Sequence, residues 1–230
     1  MPTIGKSAIA GQFANPKLRG RADDIACFAN VGLIKRLKAG ETLIAEGERT
    51  RYCYRIVNGV VKEFNSLRNG QRQITDFYGA GELVGIGNPT LQRQSVEAVT
   101  DCAVQCISRD ALLRAARVSE EVSQLMIELL LDRLDRAQMR TIAIARKSAS
   151  ERVAVFLLRM AEDQDRAVGV FLPMSRQDIA DYLGLTIETV CRSLTDMRKG
   201  GVISMPTART FTIKDRPALN AIANEELRLH

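Results

Sequence analysis

Short β-type runs punctuated by turn glycines, a long helical stretch free of proline and glycine, and two short amphipathic helices around a glycine succeed one another along 230 residues. In that order they predict an α+β chain: an N-terminal antiparallel β-roll of the jelly-roll kind, a long dimerisation helix and a C-terminal winged helix-turn-helix. The expected boundaries are a flexible basic tail over 1–22, the β-roll domain over 23–117, the long helix over 118–147 and the winged domain over 148–230.

Composition narrows the partners. Forty-six per cent hydrophobic residues suffice for real cores, and a net charge of +6 favours an anionic partner without naming it. No apolar run approaches the ~20 residues that span a bilayer. The opening MPTIGKSAIAGQFANPKLRGR lacks an apolar signal core, so a cytoplasmic protein without a membrane role is expected. Cys27, Cys53, Cys102, Cys106 and Cys191 are scattered and odd in number, which suits a reducing compartment rather than a disulfide framework. The sole histidine is the last residue, His230. Histidine-based triads and zinc sites are thereby disfavoured, and neither an enzyme, a metal nor a cofactor is expected.

Asp23 to Asn30 reads as a short helix. From Leu33 to Ser108, runs such as TLIAEG, YCYRIVNG and VVKEFNSLRNG are separated by Gly40, Gly47, Gly59, Gly70 and Gly81. Asn58-Gly59 and Asn69-Gly70 are hairpin signals. Asp110 to Arg117 is a short helix, and Val118 to Arg146 a single long one. On it Ile127, Leu130, Leu134, Ala137, Thr141 and Ile144 alternate three and four apart, a dimer seam of heptad type flanked by Asp132, Arg133, Asp135 and Arg136. The plainer alternative is a helix packed only on its own domain. Leu125, Met126 and Leu129 form a second stripe able to cover the roll. KSAS (147–150) reads as a polar hinge, Glu151 to Ala161 as a helix and GVFLPM as a strand. After the helix-turn-helix, VISM, a turn around Pro206 and TFTIKD make a wing, and Pro217 to Leu227 a closing helix.

The helix-turn-helix lies in SRQDIADYLGLTIETVCRSLTDMR, Ser175 to Arg198. Ser175 is an N-cap with Asp178 three positions on. Ile179 and Leu183 share a buried stripe, Ala180 leaves room for a steep helix crossing, and Gly184 stops the helix. Thr186 caps the second helix. Its apolar stripe is Ile187, Val190, Leu194 and Met197, and its polar stripe Glu188, Cys191, Arg192 and Thr195. Taken alone, Glu188 and Arg192 could be a solvated ion pair. In a major groove, Arg192 could donate two bonds to guanine and Glu188 could accept from cytosine. Ser175, Arg176, Gln177, Thr186, Thr189, Thr195, Arg198 and Lys199 are the candidate phosphate contacts.

AGETLIAEGE, YRIVNGVVKEF and FYGAGELVGIG resemble, in order and spacing, the effector domain of the CRP/FNR (cyclic AMP receptor protein) superfamily. FLPMSRQDIADYLGLTIETVCR is similar to the DNA-binding signature of its FixK/FNR branch, where the recognition helix reads Glu-x-x-Ser-Arg; here Glu188, Cys191 and Arg192 match. The cyclic AMP receptor branch carries an arginine before that glutamate, and this chain has Ile187. The resemblance implies a dimeric transcription activator that works with RNA polymerase on TTGAT-N4-ATCAA-like palindromes, at genes of microaerobic or anaerobic respiration or nitrogen fixation. FNR holds an iron–sulfur cluster on cysteines grouped near its N-terminus and one in the roll. Here that stretch has only Cys27, and Cys106 falls one place past the roll cysteine, so no cluster is expected. The cyclic AMP cassette reads Gly-Glu-Leu and, further on, Arg-Ser-Ala. Gly81, Glu82, Leu83 and Arg93 match, but Gln94-Ser95-Val96 departs, and FixK-type proteins keep such a cassette without ligand.

Cys191 stands where that branch has serine. Its plain role is contact with a thymine methyl or the backbone; its sharper one is as a redox candidate, an accessible thiol beside Arg192 on the DNA-facing stripe. Two other readings remain open: a regulator of the same fold gated by a cyclic nucleotide or other effector, and a nucleotide-binding signalling module without a DNA role.

Overall fold

The computed structural model describes residues 32–87, 91–162 and 169–224. The tail, the helix expected over Asp23–Asn30, Cys27 and the chain beyond Asn224 lie outside them. Two compact units emerge, Met1–Arg136 and Ala137–His230, with the division falling inside the long helix.

In the first unit eight strands form two four-stranded antiparallel sheets. β1 (Ile34–Leu37), β8 (Cys102–Ser108), β3 (Tyr52–Asn58) and β6 (Leu83–Val84) are neighbours in that order in one. β2 (Thr42–Ile44), β7 (Ser95–Ala98), β4 (Val61–Ser66) and β5 (Arg72–Tyr78) make the other. Their inward residues, Leu37, Ile44, Ile56, Val61, Val84, Val96 and Val104 among them, form one apolar core. Sequence-distant partners close the roll, β1 with β8 and β2 with β7.

Helix α1 (Arg109–Val118) and helix α2 (Glu120–Arg146) follow. The long helix expected from Val118 is interrupted at Ser119, which is extended (φ −123°, ψ 117°). The cause is local. The Ser119 hydroxyl accepts from the Val122 amide at 3.4 Å, and Glu120 and Glu121 place negative charge on the first turn of α2. Val122, Leu125 and Leu129 of α2 pack with Cys53, Leu83, Ile107 and Leu112 into a second roll-side cluster, as the Leu125/Leu129 stripe requires.

In the second unit α3 (Ala149–Glu162) starts earlier than expected. Ser148 and Glu151 cap it: the Ser148 amide donates to Glu151 Oε2 at 2.7 Å and the Glu151 amide to Ser148 Oγ at 3.4 Å. Half of the KSAS stretch is therefore helix rather than hinge. GVFLPM keeps only Val170–Phe171 as strand β9, which joins the wing as its third strand. α4 (Arg176–Leu183) and α5 (Ile187–Lys199) are the helix-turn-helix pair. The wing strands are β10 (Ile203–Thr207) and β11 (Thr210–Ile213), so Pro206 lies within a bulged strand and the turn comes after it, at Ala208-Arg209. α6 (Arg216–Ala223) is capped by Asp215 and closes the unit. Phe156, Met160, Leu172, Ile179, Val190, Phe211 and Leu219 fill its core.

The two hairpin glycines differ in surroundings. Gly59 and Gly70 both have positive φ (92° and 80°). A Cβ on Gly59 would meet Asp101 O at 2.5 Å and Cys102 Sγ at 2.6 Å, whereas one on Gly70 would meet nothing within 4 Å. Gly70→Ala is expected to cost about 1 kcal/mol, the left-handed strain alone. Gly59→Ala adds overpacking of about 1–3 kcal/mol. Urea unfolding of the two variants side by side checks the ranking.

Candidate nucleic-acid interface

The helix-turn-helix is built by local chemistry. The Asp178 amide donates to Ser175 Oγ at 3.0 Å and the Ser175 amide to Asp178 Oδ2 at 2.9 Å, a complete capping box. Gly184 ends α4 in the left-handed conformation (φ 64°, ψ 41°). The Thr189 amide donates to Thr186 Oγ1 at 3.3 Å and starts α5. Ala180 is fully buried, as a close crossing demands. Val190, Leu194 and Met197 are buried and Ile187 is half-buried, while Glu188, Cys191 and Arg192 are exposed and Thr195 is half-exposed. The two stripes therefore separate as the spacing requires.

Within the polar stripe, hydrogen bonds from its own backbone amide and from the Thr186 hydroxyl hold the Glu188 carboxyl below the ordinary carboxylate range. It presents an anionic acceptor at the N-terminus of α5. Thr195 Oγ1 donates to the Cys191 carbonyl at 2.8 Å. Of the phosphate candidates, Ser175, Gln177, Thr186, Arg198 and Lys199 are exposed and Thr189 half-exposed. Gln177 Nε2 donates to Asp181 Oδ1 at 2.7 Å. Arg176 is half-buried and braces the wing, donating from Nη2 to the Ala208 carbonyl at 2.7 Å, and burial lowers its pKa from the usual arginine range. Sequence reasoning missed Arg209, exposed at the wing tip; the Ala208-Arg209 turn carries no motif that would flag it.

The cysteines separate by environment. Burial pushes the Cys53 thiol up to about 11, and burial also raises Cys102 and Cys106. Cys53 and Cys102 are buried, Cys106 is half-buried, and Cys191 alone among the described cysteines is exposed.

The cassette residues of the roll are engaged from within. Glu82 is 3% exposed. Its Oε2 accepts from the Gly79 amide at 2.6 Å and its Oε1 pairs with Arg136 Nη2 at 2.9 Å. Arg136 also pairs with Asp76 Oδ2 at 3.3 Å and Asp132 Oδ2 at 3.1 Å. Arg133 pairs with Glu63 Oε2 at 3.0 Å, and both guanidiniums lie over the Tyr78 ring, at 4.6 and 5.2 Å. Arg133, Arg136 and Asp132 thus turn to the roll instead of flanking the seam. Leu83 is buried, Gly81 takes the positive φ of its turn and Arg93 is exposed. On the opposite side of α2, Ile127, Leu130, Leu131 and Leu134 are 50–56% exposed. Ala137 and Thr141 are also exposed, whereas Ile144 is half-buried. Among the described residues no group of three His, Cys, Asp or Glu is arranged for a metal, and no helix is long and apolar enough to cross a membrane.

Comparison with known proteins agrees in both units. The Crp-like helix-turn-helix domain matches residues 151–222 and the cyclic nucleotide-binding domain residues 34–118. The nitrogen fixation regulation protein FixK of Rhizobium meliloti is 35% identical over 84% of this chain and 88% of its own. FixK of Azorhizobium caulinodans is 38% identical over 80% of this chain and 74% of its own. The solved structure of FixK2 from Bradyrhizobium japonicum superposes with a TM-score of 0.79 at 33% identity, covering 84% of this chain and 97% of that one. Fold, helix-turn-helix and kinship together place the chain among the FixK-type transcription regulators of the CRP/FNR family.

Proposed function

We propose that the chain acts in the cytoplasm as a homodimer on TTGAT-N4-ATCAA-like palindromes. There it mostly activates, through RNA polymerase, genes of microaerobic or anaerobic respiration or nitrogen fixation. The observation that carries this reading is the exposed stripe Glu188, Cys191 and Arg192 on a capped helix whose opposite face is buried. Arg192 reads guanine O6 and N7, Glu188 accepts from a cytosine amino group, and Cys191 touches a thymine methyl. Ser175, Gln177, Thr186, Thr189, Thr195, Arg198 and Lys199 hold phosphates, with Arg209 added from the wing; Arg176 does so while bracing the wing. The apolar stripe of Ile127, Leu130, Leu131 and Leu134 supports pairing of two copies, since an exposed row of this kind on one helix is a contact surface. Because a two-fold dimer presents its recognition helices about one duplex turn apart, the site is palindromic.

The reading needs no small effector. Glu82, the carboxylate a cyclic nucleotide cassette would use, is held by Arg136 of the same chain. The match to the cyclic nucleotide-binding domain keeps the gated alternative in play as a second reading. Cys191 supplies a control of another kind. The thiolate sulfur attacks one oxygen of hydrogen peroxide, the O–O bond breaks, and hydroxide leaves as the sulfenic acid forms; a second peroxide oxidises the sulfenic acid to sulfinic acid with release of water, and the sulfinic acid loses its proton to solvent. The sulfinate places a fixed negative charge against the phosphates and weakens binding.

Four outcomes are read by fluorescence anisotropy on labelled duplexes. Arg192→Ala loses about 1–3 kcal/mol on the palindrome and with it the preference for guanine. Lys199→Ala weakens all duplexes alike and lowers the salt slope by about 1. Affinity that rises with added cyclic AMP would select the gated alternative, whereas equal curves with and without it support effector-free binding. Peroxide is expected to abolish binding of the unchanged protein but not of Cys191→Ser; equal loss in both removes the redox role.

A further inference from the structure

The end of α2 and the helix-turn-helix are fastened together by contacts that the base-reading stripe does not use. The last carbonyls of any helix lack an intrahelical donor. Here two arginines supply donors. Arg152, in the first turns of α3, donates from Nε to the Lys147 carbonyl at 2.9 Å, from Nη2 to Ile144 O at 2.8 Å and from Nη1 to Leu183 O at 3.2 Å. Arg140, on α2, donates from Nε to the Tyr182 carbonyl at 3.2 Å. Its guanidinium lies 5.3 Å from the Tyr182 ring centre. The same ring lies 5.8 Å from Phe156, and its hydroxyl accepts from Arg159 at 2.6 Å. All these residues belong to the Ala137–His230 unit.

The arrangement does more than cap a helix. A cap needs one donor at one end, and a lysine would serve. Arg152 instead spans acceptors at the ends of two different helices, α2 and α4, and only a planar fork with several fixed N–H directions can do so. Arg140 adds a further bond from α2 to the end of α4. Four bonds in different directions fix an angle as well as a distance. The recognition helix α5 follows α4 after a three-residue turn, Gly184 to Thr186, and packs on it, so its direction follows from that of α4.

We propose that Arg152 and Arg140 are positioning residues for palindrome recognition: through the Ile144, Lys147, Tyr182 and Leu183 carbonyls they fix the recognition helix at a set angle to the last turns of α2, residues 137–146, which carry the seam residues Ala137, Thr141 and Ile144, and so set the half-site spacing that the dimer accepts. The inference rests on the homodimeric, palindrome-binding reading above. One base pair added between half-sites advances the second by ~3.4 Å and turns it by roughly a tenth of a duplex turn. Rigidly held heads reject that change, and loosely held heads follow it.

The test compares palindromes with N3, N4 and N5 spacers, and a duplex carrying a single half-site, against the unchanged protein, Arg152→Lys and Arg140→Gln. The unchanged protein is expected to prefer N4 by about tenfold or more, equivalent to about 1.4 kcal/mol. In both variants the N4-to-N5 ratio falls toward one, while affinity for the single half-site stays within about twofold. If affinity falls equally for every spacer and for the half-site, the arginines only stabilise the unit and the proposal is overturned. An unchanged spacer ratio overturns it as well. Should Arg152→Lys fail to fold, Arg140→Gln, which removes the Tyr182 carbonyl bond and the stacking on the Tyr182 ring, decides alone. An unchanged protein that ignores all three palindromes overturns the dimer reading and this inference with it, whereas strict N4 preference in both protein and variants sinks this inference alone.

Discussion

Helix α2 is apolar on two sides, and much else follows from that constraint. Val122, Leu125 and Leu129 fill the roll, and on the far side Ile127, Leu130, Leu131 and Leu134 face water. Each of these half-exposed side chains forgoes roughly 0.8–1.5 kcal/mol of burial, about half of what full burial would provide. A row of them along one helix surface is the kind of cost that a second copy of the same helix removes. A solvated helix serving only its own domain would carry charge there. Instead, Asp132, Arg133 and Arg136 turn toward the roll, while Glu128 and Asp135 stay exposed beside the apolar row.

What could be read from sequence and what could not divides along range. The caps of α4 and α5, the left-handed Gly184 and the separation of Val190, Leu194 and Met197 from Glu188, Cys191 and Arg192 depend on residues within a turn or two, and spacing alone revealed them. The interruption at Ser119 was equally local but was overridden by the unbroken helical composition on either side. The Ser148–Glu151 box was likewise legible and missed, because KSAS reads as polar before it reads as a cap. The short β9 reflects a different limit. Val170 and Phe171 are strand because β11 pairs with them, and nothing in GVFLPM fixes how many of its residues find a partner.

The arginine contacts were illegible for a stronger reason. Arg140 and Arg152 bond to main-chain carbonyls, which every residue carries, so their partners leave no trace in side-chain identity. Tyr182 has the same history: between Ile179 and Leu183 it reads as one more apolar position, and only the fold reveals arginines on its ring and hydroxyl. The Gly-Glu-Leu turn shows the converse. Its glutamate is legible, but the guanidinium that occupies it comes from a helix position whose spacing marks it as a seam flank.

Burying such charges adds little stability, because desolvation offsets most of the attraction; what it does add is direction. An apolar helix face can slide along an apolar sheet by a turn and still bury similar area. Arg136 meets Glu82 and Asp76 of the roll together with Asp132 of its own helix, a directional set of contacts that apolar burial alone does not supply. Tyr78 strengthens that set. Arg133 and Arg136 both stack on its ring, its hydroxyl donates to Glu63 at 3.0 Å, and burial holds the phenol well above its ordinary pKa and therefore neutral. Hydrophobic burial thus holds α2 against the roll, while the arginines decide where along it the helix rests.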